Sequence, residues 1–250
     1  MKNKNLIIIS NEKVSKDSFF YCDNIDMKTI PEDLSNFFNV TLIARDSKIK
    51  RSRKINIDKI QRSLSIFGYI YNILKTLKKQ NTIYFIVSIT PYTFLSYFFL
   101  FIFRKKIYVY LRSNGYEEYK AILGFIGPLI YYIMFKTVTF KSKIITCDER
   151  LFEKDKSNIV YPSEISQLWI DDLKKPNLSK INLLYVGRVK IEKGIFSLIE
   201  ILNEIRADFE LTIVGKNEKA KISNSKINFI GGGYNAHDLI KIYDNHNISI

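Results

Sequence analysis

The chain has 250 residues, 46% of them hydrophobic, which is enough apolar material for one large core or two modest ones and excludes a disordered chain. The formal charge of +14 is unevenly spread: residues 1–180 carry 30 basic and 17 acidic side chains, a net +13, while residues 181–250 carry 9 and 8, a net +1. Such a field draws anionic partners, and no recognised nucleic-acid module accompanies it. Cys22, Cys147, His237 and His246 have neither disulfide-framework nor zinc-site spacing, as expected of a cytoplasmic protein with reduced thiols that needs no metal or cofactor.

In chain order, the apolar run in MKNKNLIIISNEK is shorter than a signal-peptide core and reads as a first strand over residues 6–10. A second strand, VTLIA, covers 40–44, and a strongly basic tract follows at 48–62. Ile60, Leu64, Phe67, Tyr71 and Leu74 recur at spacings of three or four, which predicts a helix over 59–79 with that stripe inward. Residues 83–103 are long enough to cross a bilayer. Ser88, Thr90, Pro91, Thr93 and Ser96 interrupt them, however, so a strand, a turn at Thr90 and Pro91 and a buried helix are expected. A shorter apolar run at 121–135 is broken by Gly127 and Pro128. Together with the basic excess, these runs point to peripheral contact with an anionic membrane face.

Further strands are expected at 107–111, 143–147 and 158–161. All these runs are continuous rather than alternating, as strands buried on both faces should be. Strand and helix alternate, which predicts an α/β domain with a mainly parallel sheet over residues 1–172. Residues 173–180 then read as a linker. A second α/β unit over 181–250 brings strands at 181–186, 209–214 and 226–230, helices from about 195 and at 237–244, and a last strand in NISI. That unit is expected to be incomplete, because the sequence stops inside a strand.

The stretch YVGRVKIEKGIFSLIEIL, residues 185–202, carries the chemistry. Gly187 ends a strand, and Ile195, Leu198, Ile199, Leu202 and Ile205 place one face of the next helix on the sheet. The loop between them is at the carboxyl end of a parallel strand, where open α/β sheets bind ligands. A helix N-terminus there is an anion site. Arg188 and Lys193 flank it with a bidentate fork and a mobile point charge, and Gly194 permits close backbone approach, a combination suited to a diphosphate. The competing reading is an ordinary loop with two solvated cations. Glu117 and Glu118 read as first-turn acids of a helix, and His237 as a solvated or capping histidine.

The runs LLYVGRVKIEKGIFSLIEIL, FELTIVGKNE and INFIGGGYNAHDLIKIYDNHNISI resemble the donor-binding domain of the retaining glycosyltransferases of family 4. The resemblance implies a GT-B fold of two Rossmann-like domains. It also implies transfer of a sugar from a nucleotide diphosphate to a glycan or lipid-linked acceptor, in surface polysaccharide synthesis. In that family the arginine and lysine of G-R-x(4)-K-G hold the donor diphosphate, which assigns Arg188 and Lys193; Gly215, Gly231 and Gly232 would lie near the nucleotide. Where many members have a histidine near the sugar, this chain offers Arg112 and Asn114. No glycine follows Ser10, where members carry a glycine-rich turn, and the family's pair of glutamates would lie beyond Ile250, so this chain alone is expected to be inactive. The alternatives are a non-catalytic, membrane-associated partner of an active transferase and a dinucleotide oxidoreductase; the latter lacks a G-x-G-x-x-G turn.

Overall fold

The computed structural model describes residues 4–152, 156–161, 167–171, 175, 180–187, 189, 193–215, 225–232, 234 and 236–250. The chain divides into two compact units, Met1–Pro162 and Ser163–Ile250.

The first unit runs β1 (Asn5–Lys16), β2 (Phe20–Cys22), α1 (Asp26–Leu34), β3 (Asn39–Asp46), β4 (Arg53–Ile55), β5 (Ile60–Ser63) and α2 (Ile66–Thr76). It continues with β6 (Thr82–Val87), α3 (Pro91–Ile102), β7 (Lys106–Leu111), α4 (Gly115–Leu123), α5 (Gly127–Thr139), β8 (Lys143–Thr146) and β9 (Ser157–Ile159). Parallel pairing gives the order β5-β3-β1-β6-β7-β8-β9. The order reverses between β1 and β6, which makes their carboxyl ends the topological switch point. Ile7 and Ile9 face a core shared with Tyr69 and Ile73 of α2, Tyr97 and Leu100 of α3, and Met134 and Val138 of α5. Leu6 and Ile8 face the opposite core, with Met27 of α1. Both faces of the sheet are thus covered, which is why its strands read as unbroken apolar runs.

Three expectations are corrected here. β1 does not stop at Ser10: its register with β3 shifts between Ile9 and Lys13, and it continues as a hairpin with β2, which pairs in turn with β4. Where the resembled family carries a glycine-rich turn, this chain therefore carries a bulge followed by a hairpin. The helix expected at 59–79 is a strand plus a shorter helix, capped at Ser65, whose side chain accepts from the Gly68 amide. Its inward residues are Tyr69, Ile73 and Thr76, whereas Phe67 is 81% exposed and Leu64, Tyr71 and Leu74 also face solvent. Third, α3 begins with a capping box between Thr90 and Thr93, as the turn expectation required, but only part of it is buried.

The second unit holds α6 (Gln167–Ile170), β10 (Ile181–Val186), α7 (Ile195–Glu204), β11 (Phe209–Val214), β12 (Ile227–Phe229), α8 (Ala236–Asp244) and β13 (Ile248–Ser249). Its parallel sheet has the order β12-β11-β10-β13, so its own switch point lies between β10 and β13. Trp169 packs edge-on against Tyr243 of α8, with ring centroids 5.2 Å apart. On α7, Ile195 and Leu202 are buried and Leu198 and Ile199 pack beside them, while Ile205 caps the helix in extended conformation and is exposed.

The orientation of α2 is directly testable. Phe67→Ser should change unfolding free energy by no more than about 0.5 kcal/mol. Tyr69→Ala should cost about 3–5 kcal/mol, both read from urea midpoints.

Candidate functional site

Each unit presents a rim at the carboxyl ends of its parallel strands. In the second unit that rim is made of glycines. The Gly187 amide donates to the Val214 carbonyl at 2.9 Å, and the Gly215 amide donates to the Gly231 carbonyl at 2.6 Å, so the ends of β10, β11 and β12 are knitted together. A Cβ at Gly215 would fall 1.9 Å from the Gly187 carbonyl oxygen, so no other residue fits there. Three adjacent strands thus end in backbone without side chains, which lets a ligand approach the sheet edge closely.

Beside this rim, α7 starts at Gly194, whose φ of +70° is the left-handed conformation that glycine tolerates. Among the described residues no side chain caps α7, whose N-terminus carries the positive end of the helix dipole. Lys193 is exposed immediately before it. Arg188 lies outside the described residues, so its expected role has no geometry here. Gly231 (φ +75°) turns the chain after β12, and Gly232 next to it is exposed. His237 is exposed in the first turn of α8.

In the first unit the rim is polar and charged. The bulge in β1 brings Ser10, Asn11 and Glu12 to the switch point. The Ser10 carbonyl accepts from the fully buried Tyr69 hydroxyl at 2.7 Å, its Oγ accepts from the Glu12 amide at 3.1 Å, and Asn11 accepts from Arg45 at 3.4 Å. Arg45 also stacks over Tyr92 in the first turn of α3, 4.6 Å from its centroid. Ser88, at the end of β6, holds φ +63°, an uncommon conformation for a residue with a side chain. Arg112 follows β7 and pairs with Asp26 at 2.6 Å; Arg51 pairs with Asp23, also at 2.6 Å.

Glu12 is therefore set among arginines that are each bound to an aspartate. Burial pushes its carboxyl above the usual range, and Asp23 adds to that, against the opposing pull of Arg51 and Arg112. Burial likewise pushes the Cys22 thiol up to about 12, so it is no nucleophile near neutral pH. The Asn114 side chain caps α4, accepting from the Tyr116 amide at 3.1 Å. It also lines, with Tyr131, Phe135 and Arg150, a cavity of about 120 Å³. Glu117 and Glu118 sit in the first turn of α4, where the helix dipole favours acids. Among the described residues no group of three or more His, Cys, Asp or Glu side chains is placed to hold a metal ion.

No protein-family model matches the chain, and no curated protein does. Solved structures do. One is the apo form of WaaB, a lipopolysaccharide outer core galactosyltransferase, with a TM-score of 0.61, 12% identity, and 97% of this chain and 72% of that chain covered. Another is α,α-trehalose 6-phosphate synthase from Burkholderia multivorans, with a TM-score of 0.57, 9% identity, and 98% and 76% covered. A third is UDP-GlcNAc 2-epimerase from Methanocaldococcus jannaschii, with a TM-score of 0.50, 14% identity, and 98% and 77% covered. The chain has the GT-B fold.

Within this GT-B fold, sequence reasoning found the rim of the second unit and missed most of the first. Glu12, Arg45 and Ser88 carried no motif. The available signal was the placement of Ser10, Asn11 and Glu12 directly after the first strand, at the position that the fold uses for its switch point.

Glu12 supplies a pH test. Its folded-state value lies above the model-compound 4.5, so the folded form binds its proton more tightly, and the stability this contributes is lost as pH rises from about 4.5 through that raised value. Glu12→Gln should remove this part of the loss. Urea midpoints for both proteins, measured at a series of pH values, should diverge across that window, with the variant gaining relative to wild type toward neutrality.

Proposed function

We propose that this protein is a glycosyltransferase that takes a sugar from a nucleotide diphosphate donor held by the second unit and gives it to a glycan or lipid-linked acceptor held by the first. The observation that carries this reading is the side-chain-free rim of Gly187, Gly215 and Gly231 together with Lys193 and the N-terminus of α7, which no described side chain caps. A diphosphate can lie against such a rim with its charge met by backbone amides and a lysine. The similar structures named as a galactosyltransferase and a trehalose 6-phosphate synthase support a sugar-transfer chemistry on this fold.

In this reading catalysis rests on stabilising the departing diphosphate, with the α7 N-terminus, Lys193 and Arg188 supplying the positive charge and no metal required. The family-4 resemblance of residues 181–250 supports retention at the anomeric carbon. The polar rim of the first unit, with Glu12, Arg45 and Arg112, suits a polyhydroxylated acceptor. The free thiols of Cys22 and Cys147 agree with a reducing, cytoplasmic site of action, where surface polysaccharide precursors would be assembled. Similarity to a UDP-GlcNAc 2-epimerase supports the donor class and names the competing outcome, in which a nucleotide sugar is epimerised without transfer.

Calorimetry with nucleoside diphosphates on the full chain separates these points. Lys193→Ala and Arg188→Ala should each weaken diphosphate binding about 10- to 100-fold, the cost of one charge-assisted contact. Unchanged affinity in both variants overturns the assignment of this loop. Incubation with labelled nucleotide sugars and extracted acceptors then tests the reaction: label in the acceptor supports transfer, and an epimerised nucleotide sugar alone refutes it.

A further inference from the structure

We propose that α3, α4 and α5 form a docking surface for an anionic phospholipid bilayer, a reading that stands on the first unit alone and does not depend on the donor assignment. α3 is apolar on both faces, with Tyr97 and Leu100 buried in the core. Thr93 and Ser96 are buried, with hydroxyls donating to the Ser88 and Tyr92 carbonyls at 2.9 and 2.7 Å, while Phe98 and Phe101 face outward. Water selects a polar outward face on a surface helix, and α3 lacks one.

The stretch Gly115–Thr139 has the length and hydropathy of a bilayer-crossing helix, with only 22% of an apolar 18-residue window within it buried, yet it does not form one rod. Gly124 adopts φ +64°, and α4 and α5 fold back so that the Tyr116 and Tyr131 rings lie 4.8 Å apart. Fifteen residues of straight helix would separate them by about 22 Å. The resulting helical hairpin carries Phe125, 89% exposed, at its tip, with Leu129 and Ile133 along the outer side of α5. A groove of about 390 Å³ between α3 and α5, lined by Phe98, Phe101, Phe140 and Lys136, gives room for an acyl chain beside a cation. Exposed Thr137 donates its hydroxyl to the Ile133 carbonyl at 2.8 Å, so it does not require water there.

Charge selects the occupant. Between residues 81 and 147 the chain carries eight basic side chains (Arg104, Lys105, Lys106, Arg112, Lys120, Lys136, Lys141 and Lys143) and two acidic ones, Glu117 and Glu118. Lys141 stands over both Phe101 and Phe140, at 5.5 and 5.8 Å, so cation and apolar ring share one surface. Two copies of the chain meeting through this face would bring like charges together, whereas an anionic lipid surface meets apolar rings and lysines alike.

Cosedimentation of the full chain with vesicles tests this. Wild type should partition onto phosphatidylglycerol–phosphatidylcholine vesicles at least about tenfold more strongly than onto phosphatidylcholine alone. The double substitution Phe125→Glu with Leu129→Glu should abolish binding while leaving the thermal midpoint near wild type, because both side chains are exposed. Lys136→Glu with Lys141→Glu should erase the preference for anionic lipid. Phe37→Ser, which alters an exposed ring outside these helices, should bind as wild type does. Equal partition onto both lipids overturns the proposal. So does full binding by the Phe125/Leu129 variant, equal loss in Phe37→Ser, or a concentration-dependent dimer that the Phe125/Leu129 variant dissociates.

Discussion

The first unit depends on β1 being dry on both faces and paired on both edges. Ile7, Ile8 and Ile9 are each fully buried, alternating between the two helical layers, while the backbone bonds in parallel to β3 and β6. A parallel strand in this position favours apolar side chains on both faces, and β3 beside it follows the same pattern with Thr41 as a buried exception. With β1 central, chain order reverses on its β6 side, and that reversal opens the rim where Ser10, Asn11 and Glu12 emerge. The polar chemistry of this unit begins where the apolar strand runs out.

The second unit reaches a similar edge by a different device. Its strands end in glycines bonded to one another, and Gly215 approaches the Gly187 carbonyl so closely that any side chain would push the strands apart. The first unit therefore offers side chains at its rim and the second offers backbone. Under the proposed function, that division would suit an acceptor read through hydroxyl groups and a donor gripped through phosphate oxygens.

Legibility followed burial. β10 and β11 have the ranges expected from sequence, since runs such as INLLYV and FELTIV have no other use in a chain of this composition. The turn at Thr90 and Pro91 was equally readable, because a capping threonine before a proline at the first helical position is a local signal. The α2 stripe failed for a definite reason: period-finding assumes that apolar residues face inward, and here Phe67 and Tyr71 face outward with Tyr69 and Ile73 beneath them. A helix apolar on both sides has no unique inward stripe. The same ambiguity made residues 83–103 read as long enough to cross a bilayer and α3 read as buried. The hairpin after β1 was invisible because β2 and β4 are only three residues each, and β2 meets β4 only when residues far apart in sequence come together.

By itself the sequence determined the alternation of strand and helix, the two-unit organisation and the loop that opens with Gly187 and closes with Lys193 and Gly194. These rest on local apolar runs, caps and glycines, whose physics needs only near neighbours. Tertiary structure alone decided which face of α2 and α3 turned inward, where β1 bulged, and that Gly187, Gly215 and Gly231 came together. Those outcomes depend on which strands become neighbours in the sheet, a long-range choice that no single window of sequence contains.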